Sequence, residues 1–206
     1  MKKLLMLMLG LALMAGCSSE PSKPAQSEKP QPKAPEYATG RTAFQRLYVA
    51  AHGWARDAQP YRLESEVTSD WKGKDGKSAI WRGSFASPSQ RASRAYTWCG
   101  TDAPDAPPRG MTPGSQDVYS PSNSSTQVFD IGFLKTDSDK AFDVAQKHGG
   151  DKILAKSADT GIFYVLDWSG TTNELIWHVI YGASRDQPKL RVAVNATTGE
   201  FMRIEK

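Results

Sequence analysis

Two short apolar signatures recur along this chain at nearly one spacing. Ala43-Phe44 and Ala141-Phe142 are 98 residues apart, and Ile80-Trp81 and Ile176-Trp177 are 96 apart. A helical pattern surrounds each member of the first pair. In TAFQRLYVAAHGWA, Phe44, Leu47, Tyr48 and Ala51 fall at i, i+3, i+4 and i+7, one apolar face that Gly53 should end. In SDKAFDVAQKHGGDKIL, Ser138 is placed to cap the helix, Ala141, Phe142 and Ala145 form the stripe, and Gly149-Gly150 should stop it. Helices are therefore expected near 41–52 and 138–148. Repetition of one supersecondary unit is a strong constraint on fold, because both copies must bury their apolar faces in compatible ways.

Strand patterns follow each helix. YRLESEV alternates, with Tyr61, Leu63 and Val67 on one face, and WKGKDG is a turn region carrying an Asp-Gly hairpin signal. SAIWRGSF and RASRAYTW read as two further strands. After the second helix come GIFYVLDW, ELIWHVIYG, KLRVAVN and GEFMRIE, separated by Gly, Pro and Asn. The stretch GTDAPDAPPRGMTPGSQDVYSPSNSST reads as a long loop, and QVFDIGFL as a strand leading into the second helix. The fold class expected is α+β: two related units, each a helix packed on an antiparallel β-sheet, over 39–100 and 127–206 with a linker at 101–126. Asn195 to Gly199 should form the last turn, with Gly199 at positive φ and the Asn195 side chain bonding the local backbone.

The second unit resembles the PepSY domain over about residues 137 to 206. The helix with Ala141, Phe142 and Ala145, the strand with Trp177-His178-Val179, and LRVAVNATTGEF carry the resemblance. Asn195 stands where that family more often has Asp, ahead of Ala196, Thr198 and Gly199. The first unit is only faintly similar: it keeps the helix and Trp81 but has no matching final hairpin. The resemblance implies an inhibitory, chaperoning or binding module, and it supplies no catalytic residues to carry over.

The N-terminus gives an address. Lys2 and Lys3 precede an apolar stretch, Leu4 to Met14, about half the ~20 residues a membrane span needs. Ala15-Gly16-Cys17 follows, and LMAGC resembles the bacterial lipobox, with Met14 where Leu is commonest. Residues 1–16 are thus expected to be a lipoprotein signal peptide, cleaved between Gly16 and Cys17, with lipid on Cys17; the alternative is plain secretion with Cys17 a free thiol. Residues 17–38 are rich in Pro, Ser, Lys, Glu and Gln, a composition that cannot repay the entropy of ordering. This tether would reach on the order of 60 Å if extended like polyproline. The implied location is the bacterial cell envelope, anchored by lipid, and the outer membrane facing the periplasm where the host has one.

Composition narrows the chemistry. Loss of residues 1–16 removes Lys2 and Lys3, taking Lys+Arg from 26 to 24 against 22 Asp+Glu, a net charge of +2. The basic residues are dispersed, so no electrostatic footprint for nucleic acid exists. His52, His148 and His178 show no metal-ligand spacing, and no nucleophile or phosphate-loop motif is present. No cofactor or metal is expected. His52 and His148 suit helix C-termini, where a cation complements the dipole. Cys99 reads as a buried apolar residue ahead of a reactive thiol. Asp130, Asp167 and Glu174 are scattered acids, any two of which an enzyme would have to bring together. Among six Trp residues, Trp54 and Trp71 lie outside the strands and are the candidates for a partner-binding surface.

The functional expectation is a non-catalytic, lipid-anchored envelope protein that binds a protein or peptide, with restraint of a peptidase as the specific form. Its rivals are a structural lipoprotein of an envelope assembly and an envelope enzyme working through an unrecognised acid pair or Cys99. The anchor is directly testable: intact-mass analysis of the mature protein from the membrane fraction should show an N-terminal acylated Cys17. A bare Cys17, or cleavage elsewhere, overturns it.

Overall fold

The computed structural model describes residues 33–205; Gly16, Cys17 and most of the expected tether lie outside them. The chain is α+β, with few helices and a large antiparallel sheet. In chain order, β1 (Ala38–Thr39) leads into α1 (Gly40–Trp54), followed by β2 (Gln59–Glu66), β3 (Lys77–Ser78), β4 (Ile80–Ser87), β5 (Ala92–Cys99) and β6 (Gly110–Val118). Next come α2 (Ser138–Ala145), α3 (Asp151–Lys156), β7 (Gly161–Ser169), β8 (Glu174–Ser184), β9 (Gln187–Asn195) and β10 (Phe201–Glu205). Eight strands form one sheet in the order β10-β9-β8-β7-β2-β4-β5-β6, and β1 pairs separately with β3. Each helix region is followed by a four-strand meander, and the meanders meet through their first strands, β2 against β7.

Alternation sorts the strand residues. Leu63, Trp81, Phe85, Tyr164, Leu166, Trp177, Val179, Val192 and Val194 point to one face and pack with Ala43, Phe44, Leu47, Ala51, Ala141 and Ala145 of the helices. Trp81 and Trp177 meet edge to face at 6.4 Å in the middle of this core. Among the described residues the opposite face carries no helix.

The helices are joined at their N-termini. Thr39 offers α1 no side-chain cap; instead Gly40 N–H donates to Ser138 Oγ at 2.7 Å and Arg41 N–H to Asp137 Oδ1 at 2.8 Å. Asp137 Oδ1 also accepts from Ser138 N–H, so one carboxylate serves the positive ends of both helices. Asp137 is therefore the N-cap of α2, where Ser138 was expected, and the fully buried Ser138 hydroxyl also donates to Gly76 O.

Several further expectations are corrected. Gly53 lies inside α1, which ends at Trp54. The second helix does break where expected, at Gly149: His148 (φ −109°, ψ 30°) and Gly149 (φ 112°) leave helical geometry, and α3 starts as a separate helix at Asp151. Ile153 and Leu154 of α3 are partly buried against the core. The expected linker at 101–126 contains the nine-residue edge strand β6, and residues from Lys33 onward form a single unit. QVFDIGFL is not a strand: Asp130 accepts from Gly132 N–H and caps a 3₁₀ turn at Ile131–Phe133. The last six residues of the expected tether are held on the fold, with Glu36 N–H bonded to Gly100 O and Ala38 buried. The closing turn is as expected: Gly199 has φ 80°, and Asn195 Oδ1 accepts from the Thr197 and Thr198 amides.

Ser138→Ala leaves the Gly40 N–H and Gly76 C=O buried without partners. It should lower the unfolding free energy by about 2–4 kcal/mol in urea titrations, well beyond the ~1 kcal/mol of an exposed helix cap. A loss no larger than an ordinary cap would show that the joint between the helices contributes nothing.

Candidate functional site

The helix-free face presents polar side chains at alternate positions of its central strands. Arg62, Glu64 and Glu66 come from β2, Asp167 from β7, His178 from β8, Arg191 from β9, and Arg203 and Glu205 from β10. The two-residue turn between β8 and β9 adds Arg185 and Asp186. On each of these strands the odd-versus-even phase is set by apolar neighbours that must face the helices, which forces the polar residues outward.

Most of these side chains form one continuous ion network. Arg203 pairs with Glu205 at 2.7 Å, Glu205 with His178 Nδ1 at 2.6 Å, and His178 Nε2 with Asp167 at 3.2 Å. Asp167 then meets Arg62 at 3.1 Å, Arg62 meets Glu64 at 2.9 Å, and Arg185 bridges Glu64 at 2.5 Å and Glu66 at 2.7 Å. Glu205 reaches His178 across the intervening β9, where Ala193 stands directly opposite His178 and presents only a methyl group. Beside this network is a pocket of about 450 Å³ lined by Arg62, Glu64, Asp167, His178, Arg185 and Arg191, with Val165, Ile180 and Asp186 completing it.

His178 is the centre of the network. Burial is the largest single influence on it and opposes its charge, but hydrogen bonds with Asp167 and Glu205 outweigh that and hold its pKa at about 9 against the ordinary 6.5. Glu205 is correspondingly held below the usual carboxylate range: its burial acts upward, and the contact with His178 more than offsets it. An imidazolium with both nitrogens donating to carboxylates has no lone pair to take a proton, so this His is unsuited to act as a general base. It works as a positive clamp between two acids.

Other residues singled out from the sequence lie elsewhere. Trp54 and Trp71 are half-buried and already engaged. The Trp54 indole donates to Gln116 on β6 and lies under the Arg94 guanidinium; that of Trp71 donates to Lys77 O and stacks on Tyr37. Cys99 is 1% exposed, its Sγ 3.3 Å from Thr101 O. His52 sits in the last turn of α1 beside Tyr48. His148 lies where the second helix breaks, its ring stacked 3.7 Å from that of Phe201. Asp130 caps its own 3₁₀ turn and Glu174 accepts from Asn195, so of the three scattered acids only Asp167 joins the network. Among the described residues no group of three or more His, Cys, Asp or Glu side chains is placed to hold a metal ion. Arg62, Arg185, Arg191 and Glu205 drew no attention in the sequence, where the only available signal was charge at the outward phase of adjacent strands.

The raised pKa of His178 has a consequence for stability against pH. A folded-state value above the unfolded one stabilises the fold fully below about 6.5, and the contribution disappears as pH rises through about 9. Its size is on the order of 3 kcal/mol. Denaturation at pH 6, 7, 8 and 9 should show wild type losing its advantage over His178→Gln across that window. A constant gap would mean that His178 is not protonated in the native state.

No protein-family model matches the chain, no curated protein does, and no solved structure does.

Proposed function

We propose that this chain is a non-catalytic, lipid-anchored protein of the bacterial cell envelope that binds a protein or peptide partner on the helix-free face of its sheet, with restraint of a peptidase as the specific form. One observation carries the reading. The helices and the main core lie on a single side of an eight-stranded sheet; the other side carries two small apolar clusters, around Phe163, Val165 and Ile180 and around Ile80 and Cys99, together with the polar network and its pocket on rigid strands. Side chains fixed by strand backbone are a preorganised surface, and little ordering entropy is lost when a partner docks on them.

The same reading takes the chain as two related, PepSY-like units joined through their first strands. Internal correspondences support it. Trp81 and Trp177 each donate an indole N–H at 2.9 Å to a carbonyl just ahead of the helix of their own half, Ala38 and Thr136, which are 98 residues apart. Trp81 stands opposite Ser65, and Trp177 opposite Leu166. Ser65 and Leu166 are 101 residues apart, and so are Glu64 and Val165, which face each other where β2 meets β7. That is the register a two-fold relation between the halves requires.

Site-specific photo-crosslinking in intact envelopes tests the surface. A photoreactive side chain at Arg82 or Thr97, on the helix-free side of β4 and β5, should give a discrete protein adduct; one at Val49, 73% exposed on α1, should not. Adducts from Val49 alone, or from none of the three positions, would overturn the proposal.

A further inference from the structure

Among the described residues, the ion network leaves one cation of its pocket without an acid. Each carboxylate within it is already committed: Glu205 holds His178 and Arg203 through separate oxygens, Asp167 holds His178 and Arg62, and Glu64 is shared by Arg62 and Arg185. Glu66 is taken by the second arm of Arg185. Arg191 stands directly opposite Glu205 in the β9–β10 register, yet Glu205 turns away from it to His178. Among the described residues, the hydrogen bond of the Arg191 guanidinium is Nη2 to Arg185 O at 3.1 Å; its Nε is shut off from solvent and meets no acceptor. Asp186, also on the pocket wall, lies exposed at the hairpin tip, where water screens its charge.

A half-buried guanidinium with one backbone acceptor and no ion-pair partner among the described residues is costly in the free protein, and a carboxylate relieves that cost with charge-assisted hydrogen bonds. Arginine suits this because its planar fork fits two carboxylate oxygens at once. We propose that Arg191 is the recognition point for an acidic side chain of the bound partner, an aspartate or glutamate entering the pocket between Arg191, Arg185 and His178. The assignment rests on the helix-free face being the partner surface, and it names the chemistry that surface selects.

The pocket can be probed without knowing the partner. The closed-off Nε–H of Arg191 exchanges slowly with water, so its resonance is observable by nitrogen-edited NMR of the full mature chain. The probe is a tripeptide blocked at both ends with a central glutamate; its glutamine counterpart and inorganic phosphate serve as controls. The glutamate peptide should shift the Arg191 Nε–H signal saturably, the glutamine peptide should not, and Arg191→Gln should weaken the amide shifts around the pocket at least five-fold. Arg191→Lys should fall between, since it keeps charge and loses the fork. Amide spectra of both variants verify that they are folded. Three results overturn the assignment: no saturable shift, equal shifts with the glutamine peptide, or tighter saturation by phosphate. If these appear while crosslinks still form at Arg82 or Thr97, the carboxylate assignment fails and the binding face stands; failure of the crosslinks removes the face itself.

Discussion

Two indole N–H bonds hold the molecule in register. Trp81 and Trp177 are completely buried, touch each other edge to face, and each donates to a carbonyl at the entrance of a helix. A buried indole needs an acceptor, and these acceptors sit where the chain turns from extended segment to helix, so each bond fixes a helix against the sheet. The tightness of the arrangement is visible at Gly40. A Cβ there would lie 2.5 Å from Trp177 Cη2, so only glycine lets α1 begin against this ring. Its amide then reaches Ser138, and the two helix N-termini share the Ser138 hydroxyl and the Asp137 carboxylate. Remove either Trp and both helix origins lose their reference point.

The two sides of the sheet are held by different physics. The helix side is closed by apolar packing, with large aromatic and aliphatic side chains fully out of water. The other side combines small apolar clusters, such as Phe163, Val165 and Ile180, with charge spread over β2, β7, β8 and β10 and centred on an imidazolium. Ion pairs that are partly buried give back part of their Coulombic gain as desolvation, and they also penalise any register in which partners do not meet. A one-residue slip of β7 against β2 would move Asp167 to the apolar side and expose Leu166. The network therefore specifies the junction between the two meanders as much as it strengthens it, and it leaves its part of the surface polar and ordered.

The boundaries of legibility follow from periodicity. β4, β5, β7, β8 and β9 were readable because one face of each is buried and the residues alternate or run apolar. β6 was not, since GMTPGSQDV is an edge strand exposed along nearly its whole length, with no buried face to impose a pattern. QVFDIGFL failed in the opposite sense. Its apolar residues suggested a strand, but only Phe129 and Leu134 are buried, and the Asp130 side chain bonds the local backbone in place of a ladder. The break at Gly149 was readable because glycine takes a positive φ without strain, whereas the short α3 beyond it is held by Ile153 and Leu154 packing on the core.

From the amino-acid order alone came the α+β class, the spacing of the repeated helix and tryptophan signatures, the positive-φ turn at Gly199 and the expectation of a lipid on Cys17. These depend on local stereochemistry or on patterns a few residues long. Tertiary structure alone decided that β2 and β7 lie side by side, and that pairing is what brings Arg62 of one half to Asp167 and His178 of the other. Which strands become neighbours depends on the packing of side chains about a hundred residues apart, chiefly Trp81 against Trp177. No local pattern encodes that contact, so the charge network, and Arg191 with its unsatisfied Nε–H, could be found only once the sheet was assembled.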